Sequence, residues 1–430
     1  MSSATFGDPE AAGVRQKQKK AQPHRRAQTS IWDGQRRTLM EALELTAMSL
    51  NAYAATHRHW AIAYSGGKDS SATVAAVVHL IRTGQVPAPE SLTVLYADTR
   101  QELPPLYLGA MQMLAALHTL ELPTRLHTQV VLPPVDDRFF VYMFGRGVPP
   151  PKNRFRWCTS QLKIEPMNAA LESLRVEAGE KLLMLTGVRV GESAVRDERI
   201  AISCGRDGAE CGQGWYQESV PDAVADTLAP LLHWRVCHIW DWLWLYQAEH
   251  GLPTALVAET YGGDEAEEIN ARTGCIGCPL ATKDLALDTI LKLPQWGYLR
   301  PLKRLRPLYT DLWKFKHRKQ KDGERNADGR LSSNPNRKGP LTLEARLWAL
   351  REVLSVQTDI NVMAVALGRP PIDLINAEEL ARIRELIALR TYPDRWSDDD
   401  PDATVMIPQT VAEGIRQELL ITLEEAPGNG

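Results

Sequence analysis

The residues best suited to do chemistry stand together early in the chain: Ser65-Gly66-Gly67-Lys68-Asp69-Ser70, directly after the apolar run Trp60–Tyr64. That run reads as a buried strand. From Asp69 the pattern turns helical, with Val74, Val77, Val78 and Ile81 at i, i+3, i+4 and i+7 and Gly84 as the stop. A strand that passes through glycines into a helix N-terminus presents free backbone N–H groups and the positive end of the helix dipole. With the Lys68 ammonium beside it this is an anion site, and phosphate is the natural guest. A plain strand–turn–helix corner would not need two glycines, Lys, Asp and two serines. The GxxxxGK[ST] phosphate loop of kinases and GTPases is absent, since a single residue separates Gly66 from Lys68 and Asp follows.

A second chemical centre is suggested by the cysteines. Cys275-Ile276-Gly277-Cys278-Pro279 is a C-x2-C in a glycine-flanked turn, a spacing that lets two thiolates grip one metal centre or form a redox dithiol. Cys158 sits among Arg154, Arg156 and Lys163, cations that favour a thiolate. Cys204 and Cys211 occupy the glycine-rich stretch 203–214, and Cys237, between Trp234 and Trp240, reads as a buried structural thiol. Zinc would call for a second C-x2-C or a His pair at ligand spacing, and neither is visible. Four thiolates from loops around one rim suit a [4Fe–4S] cluster better.

The elements that must position these residues alternate between strand and helix. After a helix over Leu39–Tyr53, strands are expected at Trp60–Tyr64, Leu92–Tyr96, Leu126–Leu132 and Leu182–Leu185, with helices over 104–120 and 164–178. Such alternation implies a doubly wound parallel sheet, in which ligands bind beyond the C-terminal strand ends. The polar clusters 65–70, 98–102 and 187–196 all follow strands, so they should meet at one rim. Arg189 and Arg196, after a Gly-bearing turn, suit a second phosphate clamp, because guanidinium forks bind phosphate bidentately. A Trp-rich helix to about Ala248 follows, its tryptophans expected in the core.

At 430 residues with 24% charged side chains, the chain is long enough for one sizeable core and a smaller module. No run approaches about 20 apolar residues and the N-terminus lacks an apolar signal core, so a cytoplasmic protein without a membrane span is expected. Six cysteines in so long a chain are too few for a disulfide scaffold. The expected division is a disordered basic arm over 1–30, a nucleotide domain over 31–260, a cysteine-bearing loop region over 261–299, a basic segment over 300–340 and a helical acidic module over 341–430. From Arg300 to Lys338 there are 13 Lys/Arg against 4 Asp/Glu, a local charge of +9 interleaved with Tyr309, Trp313 and Phe315. Cations interleaved with aromatics make a nucleic-acid footprint, and equally a solvated helix and linker.

Taken in order, Ser65–Ser70, Asp98-Thr99-Arg100-Gln101-Glu102, Arg156-Trp157-Cys158 with Lys163, Gly187-Val188-Arg189 with Glu192, Ser193 and Arg196, and Cys275-Ile276-Gly277-Cys278 resemble the PAPS/APS reductase family of ATP pyrophosphatases. Within it they look most like DNA phosphorothioation proteins of the DndC and SspD type. The resemblance covers roughly residues 55–290. It implies an adenine-nucleotide alpha-hydrolase-like (HUP) fold with an added helical C-terminal module. The implied activity is ATP-dependent sulfur insertion into DNA within a bacterial modification and antiviral defence system. Its implied cofactors are ATP, Mg²⁺ and a [4Fe–4S] cluster, and its implied partners are DNA, a cysteine desulfurase and other proteins of the modification complex. Ser65, Gly66, Gly67, Lys68 and Ser70 would cradle pyrophosphate, and Asp69 would order the turn or help hold the metal. Asp98, Thr99 and Gly187 would lie by the nucleotide, and Arg189 and Arg196 would neutralise phosphate. Cys158, Cys211, Cys275 and Cys278 would hold the cluster, with Cys204 and then Cys237 next in line for Cys211's place. The chain departs from assimilatory reductases in having Trp157-Cys158 where they carry adjacent cysteines, and in having no cysteine after Cys278. The alternatives are a sulfonucleotide reductase and a sulfur-inserting enzyme acting on tRNA.

Overall fold

In the computed structural model the described residues are 37–54, 56–152, 155–191, 209–210, 215–217, 223–262, 275–281, 283–320, 338–403, 410–412 and 415–416. The expected basic arm lies outside them. Five parallel strands form the centre: β1 (His59–Tyr64), β2 (Ser91–Ala97), β3 (Arg125–Val131), β4 (Leu182–Leu185) and, two short strands later, β7 (Ala225–Ala229). The short strands β5 (Ala209–Glu210) and β6 (Trp215–Gln217) add antiparallel to β7, giving the order β3-β2-β1-β4-β7-β6-β5. The expected doubly wound α/β sheet is therefore present. Its antiparallel edge had no clear signal, because those strands are too short for a period to show.

The chain winds outward from β1 through β2 to β3 and then returns to β4 on the other side of β1, where Trp60 pairs with Leu183 and Ile62 with Leu185. In such sheets the crevice outside the strand ends at a reversal of this kind is the usual ligand position. Three helices set the frame: α1 (Leu39–Ala54), α2 (Lys68–Arg82) and α3 (Pro104–His118). In α2, Val74, Val77, Val78 and Ile81 are at most 1% exposed. Each contributes roughly 1.5–3 kcal/mol by burial, more than the at most ~0.7 kcal/mol that a β-branched residue costs a helix. Burial therefore decides that this β-branched run is helical.

Several expected boundaries shift. The helix expected from Ile164 starts at Glu165, after a π turn over Ser160–Ile164. The Trp-rich helix is broken into Val236–Trp240, a π turn Asp241–Leu245 and Gln247–His250. That turn lets Trp242 meet Trp234, Tyr246 and His250 at once, so the break is a packing device. Trp234, Trp240 and Trp242 are buried, as expected of core residues, but Trp244 is half exposed, against that expectation.

Arg37–Gly430 forms one compact unit. The helix Leu343–Leu367 is capped by Thr342, and Ala377–Ala388 carries an Asn376/Glu379 capping box. Glu379 is buried at 1% exposure and receives Arg100 Nε at 3.2 Å, and Arg138 Nη1 lies 3.6 Å from it. The C-terminal helices are thereby fastened to the loop that follows β2. Among the described residues no helix is long and apolar enough to cross a membrane.

Candidate active site

Strand β1 delivers Ser65 to the crevice, Gly66 turns the chain in the left-handed region (φ 72°), and Gly67 is the N-cap of α2. Gly67 offers no side-chain acceptor, so the first N–H groups of the helix keep their capacity for an anion. The turn is held from inside: Ser70 Oγ accepts from Ser65 N at 3.2 Å, lies 3.1 Å from Ser65 Oγ and donates to Gly67 O at 3.1 Å.

Asp69 is gripped from both sides. Lys68 Nζ donates to its Oδ2 at 2.6 Å and Arg189 Nε to its Oδ1 at 2.5 Å, while Arg189 Nη1 reaches Trp234 O at 3.2 Å. Burial pushes this carboxyl up, but the Arg189 and Lys68 charges and their hydrogen bonds outweigh it, so its pKa lies below the ordinary value. With both oxygens taken, Asp69 orders the turn in this arrangement. Two nearly buried cations share one carboxylate, which leaves a surplus positive charge beside a helix N-terminus.

Gly187 makes the clamp possible. A Cβ there would stand 2.9 Å from both Asp69 C and Ser70 N, so only glycine lets the loop after β4 lie against the loop after β1. Tyr261 was not foreseen: its hydroxyl accepts from Lys68 N at 3.4 Å and closes over Gly67. Its distance in sequence left no signal.

The loop after β2 is a separate assembly. Asp98, buried, accepts from Arg100 N at 2.8 Å, and Thr99 Oγ1 donates to Glu102 Oε1 at 2.6 Å. Burial raises the Glu102 pKa against the pull of that hydroxyl, and Asp98 raises it further. Ile276 N donates to Gln101 O at 2.8 Å, which ties this loop to the C-x2-C turn. The loops after β1, β2 and β4 follow neighbouring parallel strands, and their contacts form two clusters, one around Lys68, Asp69, Gly187 and Arg189, the other around residues 98–102 and the C-x2-C turn.

In the second cluster, burial and its neighbours Glu102, Cys278 and Cys158 hold the Cys275 thiol at about 12 although Lys163 draws it down. Cys158 is raised by burial and by Cys278. Three sulfurs therefore act on one another electrostatically. Among the described residues no three His, Cys, Asp or Glu side chains close up tightly enough to hold a single metal ion. A four-iron cluster places each cysteine on its own iron and so asks for wider spacing, and its thiols need a dry pocket. The donor chemistry and the buried Tyr309 hydroxyl, which has no hydrogen-bond partner among the described residues, both fit such a group. Arg196, Cys204 and Cys211 lie outside the described residues. Cys237 is a correction: it is exposed rather than buried, because His238, Ile239 and Trp240 take the inward positions of its helix.

In the basic segment most described cations have partners. Arg304 pairs with Glu352 and Asp359, Lys303 with Asp288 and Lys314 with Asp311. Arg318 and Lys319 are buried on backbone carbonyls. Nor are the aromatics free to stack on bases: Tyr309 is buried, and Trp313 has Lys152 at 4.1 Å and Arg318 at 4.6 Å over its ring.

Residues 59–254, a little under half of the chain, match the phosphoadenosine phosphosulfate reductase domain family. The "Uncharacterized protein MJ0973" of Methanocaldococcus jannaschii is 25% identical over 218 residues, covering 51% of this chain and only 41% of that protein. Among solved structures, the phosphate complex of the PAPS reductase from Candida auris is similar at 15% identity and a TM-score of 0.31, over 50% of this chain and 85% of that one.

Proposed function

We propose that the chain is an ATP pyrophosphatase that adenylates a phosphate oxygen of the DNA backbone and so prepares it for replacement by sulfur. The observation that carries this reading is the clamp at the sheet's reversal point. There Lys68 and Arg189 grip one carboxylate over the uncapped N-terminus of α2, which leaves donors and net positive charge for a departing pyrophosphate. Ser65, Gly66, Gly67 and Ser70 shape the cradle. Arg196, which lies outside the described residues, is the second arginine expected to neutralise phosphate. Asp98, with one oxygen on Arg100 N, is the carboxylate available to the Mg²⁺ that accompanies ATP, and Thr99 stands beside it.

The chemistry needs ATP because a phosphodiester oxygen is a poor leaving group. A non-bridging oxygen attacks the α-phosphorus, the bond to the bridging oxygen breaks, and pyrophosphate leaves with its electron pair. The terminal sulfur of a persulfide, delivered by a cysteine desulfurase partner, then attacks the DNA phosphorus and AMP departs. A thiol cleaves the remaining sulfur–sulfur bond, giving the phosphorothioate and a disulfide. Cys158, Cys275 and Cys278, with Cys211 as fourth ligand, are the residues that would hold a [4Fe–4S] cluster, which supplies a soft sulfur-binding or electron-carrying centre when bound. Arg156 and Lys163 flank it. Other proteins of a cytoplasmic modification and defence complex are the expected company.

The family match favours one second reading, reduction of a sulfonucleotide, since the same clamp suits any adenine nucleotide with a charged tail. Purified protein with ATP, Mg²⁺ and DNA is expected to form AMP and pyrophosphate, and formation of ADP and orthophosphate sinks the proposal. Sulfite released from APS or PAPS would favour the reductase, and stimulation by tRNA in place of DNA would move the acceptor.

A further inference from the structure

Tyr309 lies on the helix Leu305–Asp311 and is fully buried. Its ring is pressed against the C-x2-C turn: a Cβ on Gly277, which turns at φ 60°, would stand 3.3 Å from Tyr309 Cε2 and 2.9 Å from Leu305 Cβ. Across the ring, Phe139 meets it edge-on at 5.7 Å and in turn stacks on Trp157 at 5.4 Å, the neighbour of Cys158. Tyr309 is thus wedged between the two stretches that supply the thiols. Its hydroxyl has no hydrogen-bond partner among the described residues.

A buried hydroxyl without a partner is unfavourable, and phenylalanine would fill the same space without that cost. An O–H in this position wants an acceptor that the described residues do not provide. We propose that the Tyr309 hydroxyl donates a hydrogen bond to a sulfur of the iron–sulfur group held by Cys158, Cys275 and Cys278. The inference rests on the cluster reading above and adds a ligand-contacting residue from beyond the family-matched stretch. A hydrogen bond to cluster sulfur stabilises the more negative, reduced state and raises the reduction potential.

The test uses full-length protein and its Tyr309→Phe variant, each loaded anaerobically with ferrous iron and sulfide. Melting temperature is measured before and after loading, together with iron and sulfide content and midpoint potential. Without metal the variant should melt no lower than the parent, because an unpaired hydroxyl has been removed. On loading, the parent should gain more in melting temperature, and the variant's potential should fall. Equal gains and equal potentials at equal iron content overturn the role of Tyr309 while leaving the cluster intact. A parent protein that takes up no iron and sulfide overturns the cluster reading, and this inference with it.

Discussion

Around Lys68 two cations share one carboxylate, whereas between Arg300 and Lys338 most described cations have an acid or a carbonyl of their own. In the first region Lys68 and Arg189 are 5% and 3% exposed and both bind Asp69, so the crevice carries surplus positive charge in a partly dry setting. In the second, Arg318 and Lys319 are just as buried but are spent on Gly339, Asp398 and Asp400 carbonyls, and Lys319 also on Asp402. Local charge counted along a sequence measures how many cations are present. What a ligand meets also depends on where that charge is held: the clamp sets its surplus beside one helix N-terminus, whereas the segment's described cations are spread over several internal partners.

The most damaging change to that contrast removes a clamp cation. Lys68→Ala or Arg189→Ala should lower AMP and pyrophosphate formation by about 10²–10³-fold, the usual loss for one preorganised donor aimed at developing charge. Arg189→Ala should also destabilise the fold, since it leaves Asp69 with a single partner in a buried site. Product chromatography with a melting curve separates the two effects. Activity within a few-fold of the parent would mean that the surplus charge is not what the reaction uses.

Gly187→Ala probes the same clamp through the backbone. The new methyl meets Asp69 C and Ser70 N at 2.9 Å, neither of which can rotate away, so the loop after β4 must retreat and carry Arg189 with it. Overpacking of this kind costs about 1–3 kcal/mol. Nucleotide affinity should fall with activity, as read by calorimetry. Unchanged affinity would show that the two loops need not touch.

The sheet and the glycine turn at the head of α2 were legible because their signals are local. A strand, a glycine turn and a helical period follow one another between Trp60 and Ile81, and Gly187-Val188-Arg189 follows a four-residue apolar strand. That Arg189 reaches Asp69 follows from parallel strands being neighbours, which alternation with helices implies. Tyr261 over Gly67, Glu379 under Arg100 and Tyr309 against Gly277 were not legible. Each contact joins residues far apart in the chain and depends on how helices outside the sheet pack. Cys237 misled for a related reason: tryptophan neighbours foretell a buried helix, but not which of its faces turns inward.

The smallest expected effects lie in the basic segment, and they sharpen the comparison most finely. Arg300 and Lys316 are exposed and have no ion-pair partner among the described residues, whereas Lys303 faces Asp288 and Lys314 faces Asp311. An exposed pair is worth only about 0–1 kcal/mol, so stability should not separate these residues. DNA affinity should. Each cation that neutralises a phosphate contributes about 0.9 to the slope of log affinity against log salt. Joint substitution of Arg300 and Lys316 by alanine should therefore flatten that slope by up to roughly 1.8. Joint substitution of Lys303 and Lys314 should leave it nearly unchanged, because each is already neutralised by an acid that would repel phosphate once bared. Fluorescence anisotropy over a salt series reads the difference. Equal flattening by both pairs would mean that DNA strips the internal partners, and the segment's full charge would then count after all.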